Sequence, residues 1–318
     1  MPLSNAKLLY YDHEVLRLPK DKRTEYHAQV DRLIVELSRS LKDQAEIKVT
    51  RVVKAGSFAK HTILRKTPDD PVDVDVVFYI DGKDVNKETI ESLGQTIYDF
   101  LVKQYPNKKV EDFQIQRKAA TVEFIGSGLA IDVVPVIQIP SKPDFGWQYD
   151  IEDGSRSLTS APGQIKFVLD RRDKYDHFRT LVRLAKRWRR KAEVPGLKSF
   201  HLELILAYLL DNDKLNGTIE ERFRAFLVFL YQDKLKTRIE FEENKKNGAP
   251  TSFSDPVVIV DPVSNANNTA SRISEEERLE IANIALETWE TIHLASIDDD
   301  DEEWKNVFGR GFRTEEKD

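Results

Sequence analysis

The sequence predicts an α+β protein of two lobes, with a mixed β-sheet in residues 1–160, helices in residues 161–318 and a cleft between them. Three observations support this division. Apolar residues in the first half recur at strand spacing between helical stretches. A loop-rich segment with several Gly and Pro residues follows Pro140. Beyond it the apolar residues repeat at helical spacing as far as residue 289.

The first lobe is predicted to alternate helices and strands. Its opening helix lies within the first 45 or so residues, where apolar side chains recur at helical spacing at Tyr26, Val30, Leu33, Ile34 and Leu37. A strand over residues 49–55, a short helix from residue 57, a strand over 72–80 and an amphipathic helix over 88–105 follow. Strands over 120–125 and 129–139 are predicted to pair as a hairpin across a Gly-Ser-Gly turn.

The second lobe is predicted to begin after a loop over residues 141–163. Helices are predicted over 166–191 (long or broken in two), 199–210, 222–231 and 274–289, with a polar loop over 244–256. The first of these has an apolar stripe that includes Trp188. The opposite stripe is cationic: Arg183, Lys186, Arg187 and Arg190.

Composition excludes several classes of protein. The chain has no cysteine, so disulfides and thiolate metal sites are excluded. It has no apolar run near the ~20 residues that cross a bilayer and no secretion signal at its N-terminus, so we expect a cytoplasmic protein without membrane contact. A net charge of -6 argues against a broad nucleic-acid surface. No coiled coil or self-pairing edge is evident, and a monomer is expected.

Three aspartates carry the strongest chemical signal. Asp73 and Asp75 are two residues apart on an apolar strand, so their side chains face the same way. Asp132 lies in a similar apolar strand that could run beside the first. Taken alone, the pair fits a strand that ends at the solvent edge, with Asp132 paired to an Arg. Buried carboxylates repel unless a cation offsets their charge, and three can hold two Mg²⁺ or Mn²⁺ ions.

The turn Gly56-Ser57 precedes these aspartates by about sixteen residues. Gly56 lacks a Cβ, so a phosphate can approach its backbone closely, and Ser57 supplies a hydroxyl. A short helix after the turn would direct free N–H groups toward the same phosphate. A lone Gly-Ser pair is usually a plain turn. Its position between a strand and the Asp-x-Asp strand predicts phosphate and metal ligands at neighbouring strand ends.

The order GSFAKHT, DVDVV and a later strand aspartate resembles the nucleotidyltransferase superfamily of DNA polymerase β. The helical half resembles the branch of oligoadenylate synthase and cyclic GMP-AMP synthase, whose bacterial members are the CD-NTases of anti-phage signalling. The segments that carry this second resemblance are LVRLAKRWRR, KSFHLELI and VIVDPVSNANNTA. Together the matches span about residues 50 to 290. One departure is His61, where the family commonly has Gly, and it puts the detailed shape of that turn in doubt.

The resemblance implies a role for each matched residue. Asp73, Asp75 and Asp132 would hold two Mg²⁺ or Mn²⁺ ions, and Asp132 would also help to activate the acceptor hydroxyl. The donor phosphates would contact these residues: Gly56, Ser57, Lys186 and Ser199. Phe200 would stack on the donor base. In plainer alternatives Lys186 is one of a solvated cationic face, Ser199 an N-cap and Phe200 part of the core.

The leading hypothesis is therefore a template-independent enzyme that makes a cyclic or short linear oligonucleotide second messenger from ATP and other nucleoside triphosphates. Its product would act on a separate effector protein, a regulatory protein partner is possible, and no stable nucleic-acid partner is required. The alternative is an RNA-tailing enzyme of the CCA-adding or poly(A) polymerase type, which would use the same active site. A third hypothesis is a binding module without catalysis, against which the intact set of three aspartates argues.

Overall fold

A computed structural model describes residues 3–67, 71–83, 87–246, 248–249, 251–298 and 301–315. Contacts divide the chain into two compact units, Leu18–Lys166 and a second unit made of Met1–Arg17 with Phe167–Asp318. No helix in the described ranges combines the length and apolarity that crossing a membrane would need.

The unit Leu18–Lys166 contains a sheet and the helices that cover it. Its elements in chain order are α2 (Lys20–Ala45), β1 (Val49–Lys54), α3 (Gly56–Ala59), β2 (Val72–Asp81), α4 (Lys87–Gln104), a 3₁₀ turn (Val110–Asp112), β3 (Phe113–Ile115), β4 (Ala120–Phe124), β5 (Leu129–Ile139), β6 (Lys142–Tyr149) and β7 (Arg156–Thr159). They follow α1 (Asn5–Tyr10) of the other unit, and the first turn of α5 (Ala161–Lys174) comes next.

The sheet is mixed, as predicted. Within the described residues it has seven strands, in the order β1-β2-β5-β4-β3, with β6 beside the end of β5 and β7 beside β6. Strands β2 and β5 are parallel, and the other pairs are antiparallel. The parallel pair lies at the centre of the sheet, so both strands are apolar almost throughout, as doubly covered strands are.

One face of β2 forms the core of this unit. Val72, Val74 and Val76 are fully buried and pack in a cluster with apolar residues of α2 and α4. The alternation of a strand therefore turns Asp73 and Asp75 to the opposite face, as their spacing predicts. Helix α2 supplies its predicted stripe to the same core, with Tyr26, Val30, Leu33 and Leu37 all buried.

The second unit is mostly helical. It contains α1, a π-helical stretch (Tyr11–Leu16), most of α5, α6 (Phe178–Lys191), α7 (Ser199–Asp211), α8 (Ile219–Asp233), α9 (Glu242–Lys246), β8 (Val260–Asp261), β9 (Ser264–Asn268), α10 (Glu275–Asp298), a 3₁₀ turn (Asp301–Glu303) and α11 (Trp304–Phe308). Helix α6 is separate from α5, so the predicted pattern over 166–191 is a broken pair. The last long helix extends nine residues beyond the predicted end at Trp289.

The first seventeen residues pack with the helical unit, whereas the sequence pattern placed them in the sheet-containing lobe. The reason is a buried ion pair. Asp12 accepts hydrogen bonds from the Arg183 guanidinium and from Thr180 Oγ1 (2.7 Å). Tyr11 packs on Phe308 and Phe312 with ring centroids 5.5 and 4.7 Å apart. Amphipathicity of a short segment does not reveal which unit it will cover.

The segment over 141–163 is also different from the prediction. It was expected as a loop, but it forms the antiparallel strands β6 and β7. The sequence KPDFGWQY hides the first of these because Pro143 and Gly146 are both poor strand residues. Gly146 is needed there, because a Cβ on it would lie 2.6 Å from the carbonyl oxygen of Ile137. The close approach of β5 therefore explains why β6 contains Gly146, a residue that argues against a strand in the sequence.

Candidate active site

The register of the sheet brings two of the three aspartates side by side. Asp75 on β2 lies directly opposite Asp132 on β5, and Asp73 lies opposite Ala130. Neighbouring strands are about 4.8 Å apart, so the Asp75 and Asp132 side chains are direct neighbours. On the far side of Asp132, Thr121 of β4 occupies the opposite position. Thr121, Asp132 and Asp75 thus form one row across three strands, which we call the carboxylate row.

The Gly-Ser turn adjoins this row. The backbone N–H of Ala55 donates to the carbonyl oxygen of Asp75 at 2.8 Å, and α3 begins at the next residue, Gly56. Gly56 has φ of +57°, a left-handed conformation that favours glycine. A Cβ built on it would lie 1.6 Å from Asp75 Oδ2. The carboxylate of Asp75 therefore occupies the space that only glycine leaves open.

The charged form of the Asp132 side chain is disfavoured in its surroundings. Burial, together with the negative charges of Asp75 and Asp73, raises the pKa of Asp132 to about 6, against an opposing hydrogen bond from Thr121. The Thr121 hydroxyl donates to Asp132 Oδ1 at 2.6 Å. A buried carboxylate whose charge is disfavoured by two like neighbours is the environment that a divalent cation relieves.

The donor set suits a hard divalent ion. All three side chains offer only carboxylate oxygens, which Mg²⁺ and Mn²⁺ prefer. Among the described residues, no three His, Cys, Asp or Glu side chains already form a cluster that could hold a metal ion. The register of the backbone nevertheless places the three aspartates at neighbouring positions on two adjacent strands.

The turn after α3 shows what the departure at His61 does. His61 has φ of +59°, so it occupies the left-handed conformation for which Gly is the usual choice. Its ring contacts the Arg23 guanidinium, with His61 Nδ1 2.6 Å from Arg23 Nη1. Arg23 also donates to the carbonyl oxygen of Phe58 at 2.9 Å. These contacts with α2 stabilise His61 in the left-handed conformation, which a glycine would adopt without such contacts.

The helical unit contains the other three predicted residues. Lys186 is buried on α6, and its Nζ lies 3.5 Å from Oε1 of Glu203, which is also buried. Ser199 is the first residue of α7, one turn before Glu203, so the two lie on the same side of that helix. Phe200 is half-buried. The structure thus brings Lys186 to the face of α7 that Ser199 begins.

Two of the plainer alternatives for these residues do not hold. Arg183 and Lys186 are each less than 5% exposed, so Lys186 does not belong to a solvated face. Ser199 is not the N-cap of α7, since that position belongs to Lys198. The backbone N–H of Lys198 donates to His201 Nδ1 at 3.1 Å, and His201 Nε2 lies 2.9 Å from the carbonyl oxygen of Thr269. Burial lowers the pKa of His201 to about 4, so the ring is neutral with its proton on Nε2.

The segment VIVDPVSNANNTA has a structural role. Asp261 is buried, and it accepts hydrogen bonds from the backbone N–H of Val263 (3.1 Å) and from Asn267 Nδ2 (3.1 Å). Asn268 Nδ2 donates to the carbonyl oxygen of Val257 at 2.8 Å. These bonds fix the turn between β8 and β9 and leave the segment without an evident chemical task.

Sequence reasoning missed Thr121 and Glu203, the hydrogen-bonding and ionic partners of two predicted site residues. Thr121 could have been found by counting outward from the predicted Gly-Ser-Gly turn, because the pairing of Phe124 with Leu129 places it opposite Asp132. No comparable count predicts that Glu203 would face Lys186, because helix packing angles are not written in the local sequence.

A parallel strand pair that carries aspartates beside a glycine turn, in a mixed sheet covered by helices, defines a nucleotidyltransferase of the polymerase β type. Comparison with known proteins agrees. Residues 17–157 match the Second Messenger Oligonucleotide or Dinucleotide Synthetase domain. The chain is 57% identical over 316 residues, 99% of each protein, to the CBASS oligonucleotide cyclase CdnC of Escherichia coli. It is 35% identical over 313 residues, 95% of this chain and 96% of the relative, to a cyclic AMP-AMP-AMP synthase of E. coli strain MS 115-1.

Solved structures show the same relationship. CdnC of E. coli MS115-1, solved with ATP, has a TM-score of 0.81 at 33% identity and covers 98% of this chain and 99% of its own. The same enzyme has been solved in a complex with HORMA-deltaN, with a TM-score of 0.78 at 32% identity and 98% of each chain covered. A CCA-adding enzyme of Picrophilus torridus is more distant, at 27% identity over 236 residues, which are 72% of this chain and 46% of that enzyme.

The chain therefore belongs to the CBASS oligonucleotide cyclases, the bacterial CD-NTase branch of the nucleotidyltransferases. The family resemblance and the α+β fold with a mixed sheet that the sequence predicted are both confirmed. Enzymes of this family are generally dependent on divalent metal ions.

Proposed function

We propose that this enzyme joins nucleotides into a cyclic or short linear oligonucleotide messenger for anti-phage signalling, with ATP as its first substrate. One observation supports this above the others: the register that sets Asp75 beside Asp132, with Gly56 against the Asp75 carboxylate. That arrangement offers neighbouring ligands for metal and for phosphate, which transfer of a nucleotidyl group from a triphosphate requires. Such substrates are abundant in the cytoplasm, the compartment that the sequence predicts.

In the proposed mechanism Asp73, Asp75 and Asp132 hold two Mg²⁺ or Mn²⁺ ions. When bound, the ions lower the pKa of the attacking ribose hydroxyl and neutralise charge on the leaving pyrophosphate. Asp132 also accepts the proton of that hydroxyl as a general base. The hydroxyl oxygen then attacks the α-phosphorus in line, and the bond to pyrophosphate breaks.

The glycine turn is proposed to hold the donor phosphates. Gly56 allows a phosphate oxygen to reach the backbone, and Ser57 offers its hydroxyl. From the helical unit, we assign Lys186 and Ser199 to the same triphosphate and Phe200 to the donor base. Lys186 is held in a defined position for such a contact, since its Nζ lies 3.5 Å from Glu203 Oε1.

Relatives suggest the substrate and a partner. A 35% identical relative is named for synthesis of an all-adenine cyclic trinucleotide, so we propose that ATP alone supports product formation here. A 32% identical relative forms a complex with a HORMA protein, and we propose a regulatory partner of that kind for this enzyme. Synthesis measured with and without the HORMA protein of that relative's complex tests the second proposal. Equal rates and no complex on gel filtration would contradict it.

One assay tests the proposed activity. Purified enzyme is incubated with radiolabelled ATP and Mg²⁺ or Mn²⁺, with and without the HORMA partner and tRNA, and the mixture is treated with phosphatase. We expect a small phosphatase-resistant product that needs no RNA. The double variant Asp73→Ala with Asp75→Ala should make none while it unfolds at a temperature close to that of wild type. A matched control, Asp43→Ala on the exposed surface of α2, should retain full activity.

Two results would contradict the proposal. Labelled tRNA without a small product would identify an RNA-tailing enzyme, the activity of the more distant CCA-adding relatives. Product at the wild-type rate from the double aspartate variant would show that the carboxylates have no part in the reaction.

A further inference from the structure

Thr121 lies at one end of the carboxylate row and has no role in the proposed mechanism. It pairs directly with Asp132 across the antiparallel strands β4 and β5, so the two side chains lie on the same face of the sheet. It is only 7% exposed. A threonine hydroxyl at such a position requires hydrogen-bond partners, and both are present within the same unit.

The direction of these hydrogen bonds is determined by chemistry. Gln116 Nε2 donates to Thr121 Oγ1 at 2.9 Å, because an amide nitrogen can only donate. Its NH₂ occupies one lone pair of the hydroxyl. The single hydroxyl proton of Thr121 is then directed to Asp132 Oδ1, 2.6 Å away. The chain of donors thus runs from Gln116 through Thr121 to the carboxylate.

The position of Gln116 is fixed by the backbone. Its N–H donates to the carbonyl oxygen of Ala119 at 2.7 Å, which closes the tight turn between β3 and β4. The side chain therefore starts from a defined point just beyond the end of β3. The chain of hydrogen bonds is part of the sheet and does not depend on a mobile loop.

We propose that Thr121 is a positioning residue for Asp132, and that Gln116 sets the polarity of the Thr121 hydroxyl. By binding Oδ1, Thr121 would restrict rotation of the carboxylate and leave Oδ2 to contact a metal ion. This inference rests on the proposed role of Asp132. Hydrogen-bonded neighbours of metal ligands orient those ligands, and their loss typically costs about 10- to 100-fold in metal affinity or activity.

The first test measures Mn²⁺ binding to the metal-free full-length enzyme by electron paramagnetic resonance of the unbound ion. Thr121→Val keeps the shape and strand preference of the residue and removes the hydroxyl. We expect its Kd for Mn²⁺ to rise about 10-fold. We also expect kcat to fall by about the same factor with an unchanged KM for ATP, because Thr121 orients a ligand and does not contact nucleotide. Thr121→Ser, which restores the hydroxyl, should recover most of both.

A second pair of variants tests the polarity. In Gln116→Glu the new carboxylate accepts from Thr121 and competes with Asp132 for its proton, so Mn²⁺ should bind more weakly than in wild type. An added negative charge acting alone would strengthen Mn²⁺ binding, so the two explanations predict opposite signs. Gln116→Met, which neither donates to Thr121 nor competes for its proton, should weaken Mn²⁺ binding less than Gln116→Glu does. Residue 116 is exposed, so neither change threatens folding.

Thr50→Val is the matched control. Thr50 Oγ1 donates to the carbonyl oxygen of Tyr79, at the other end of β2 in the same sheet, and its removal should leave Mn²⁺ affinity unchanged. Wild-type Mn²⁺ affinity in Thr121→Val, with Asp132→Asn impaired, would overturn the inference and leave the proposed function intact. Equal Mn²⁺ affinity in wild type and Asp132→Asn would overturn both.

Discussion

Asp132→Asn should make the metal-free enzyme more stable at the same time as it removes activity. In the native protein, burial and the charges of Asp75 and Asp73 raise the pKa of Asp132 from 3.8 to about 6. A raised pKa means that the charged form is disfavoured in the folded state. Asparagine is neutral and nearly the same size, and its carbonyl oxygen can still accept the hydrogen bond from Thr121.

The size and sign of the effect follow from that pKa. Each unit by which the folded pKa of Asp132 exceeds its unfolded pKa lowers the free energy of unfolding of the ionised protein by about 1.4 kcal/mol. The shift from 3.8 to about 6 therefore destabilises the folded state by at most about 3 kcal/mol at high pH. Wild type is free of the penalty below pH 3.8, where Asp132 is protonated in both states. It loses stability as the pH rises through about 6, because the unfolded state releases its proton first. The advantage of the variant should therefore be full at pH 8 and small near pH 4.

The assay is urea or thermal unfolding of wild type and Asp132→Asn in EDTA at pH 4, 6 and 8. We expect the variant to gain about 1 to 3 kcal/mol at pH 8, or several degrees in Tm. Excess Mg²⁺ should raise the Tm of wild type and leave the variant almost unmoved. A variant that is less stable than wild type at pH 8 without metal would refute the reasoning, since Asp132 would then be stabilised as a charged group by something other than a cation.

Three further predictions test other parts of the structure. Gly56→Ala should lower activity by at least about 100-fold, because its Cβ would lie 1.6 Å from Asp75 Oδ2 and move the ligand; normal turnover would contradict the packing described. Asp12→Ala should cost about 3 to 5 kcal/mol of unfolding free energy, measured in urea, because it removes the carboxylate that pairs with the buried Arg183 guanidinium; a loss below 1 kcal/mol would argue against that pair. His201 is neutral in the fold with a pKa of about 4 against 6.5 when unfolded, so wild type should lose up to about 3 kcal/mol as the pH falls from 6.5 to 4. His201→Gln should lack that loss, and identical pH profiles would contradict the assignment.

The catalytic strands could be predicted from sequence because their signals are local. Alternation along 72–80 placed Asp73 and Asp75 on one face, and the structure turns Val74 and Val76 into the core on the other. That β5 lies beside β2 was proposed from their similar apolar character, whereas the parallel direction of the pair comes from the structure. Its exact register, with Asp75 opposite Asp132, depends on how the intervening helix and hairpin pack, and only the structure supplies it.

Other features were beyond the sequence for physical reasons. Strand β6 was missed because Gly146 serves the close approach of β5, which local preferences cannot represent, and β7 is only four residues long. Residues 1–17 were assigned to the wrong lobe because the partner of Asp12, Arg183, lies far away along the chain. The same long-range pairing explains why Arg183, on the cationic stripe of α6, is buried. Local sequence patterns predict the helices and strands, whereas contacts such as the Asp12–Arg183 ion pair determine which of them pack together.

The central claim is that Asp73, Asp75 and Asp132 converge on shared metal ions. It is tested most directly by a crystal structure of the enzyme soaked with Mn²⁺ and a non-hydrolysable ATP analogue, with anomalous data collected at the manganese edge. We predict two anomalous peaks, about 3.5–4 Å apart, each within about 2.3 Å of at least one of these carboxylates. Nucleotide bound in the crystal with no anomalous peak at the carboxylate row, or with manganese held by other residues, would contradict the account.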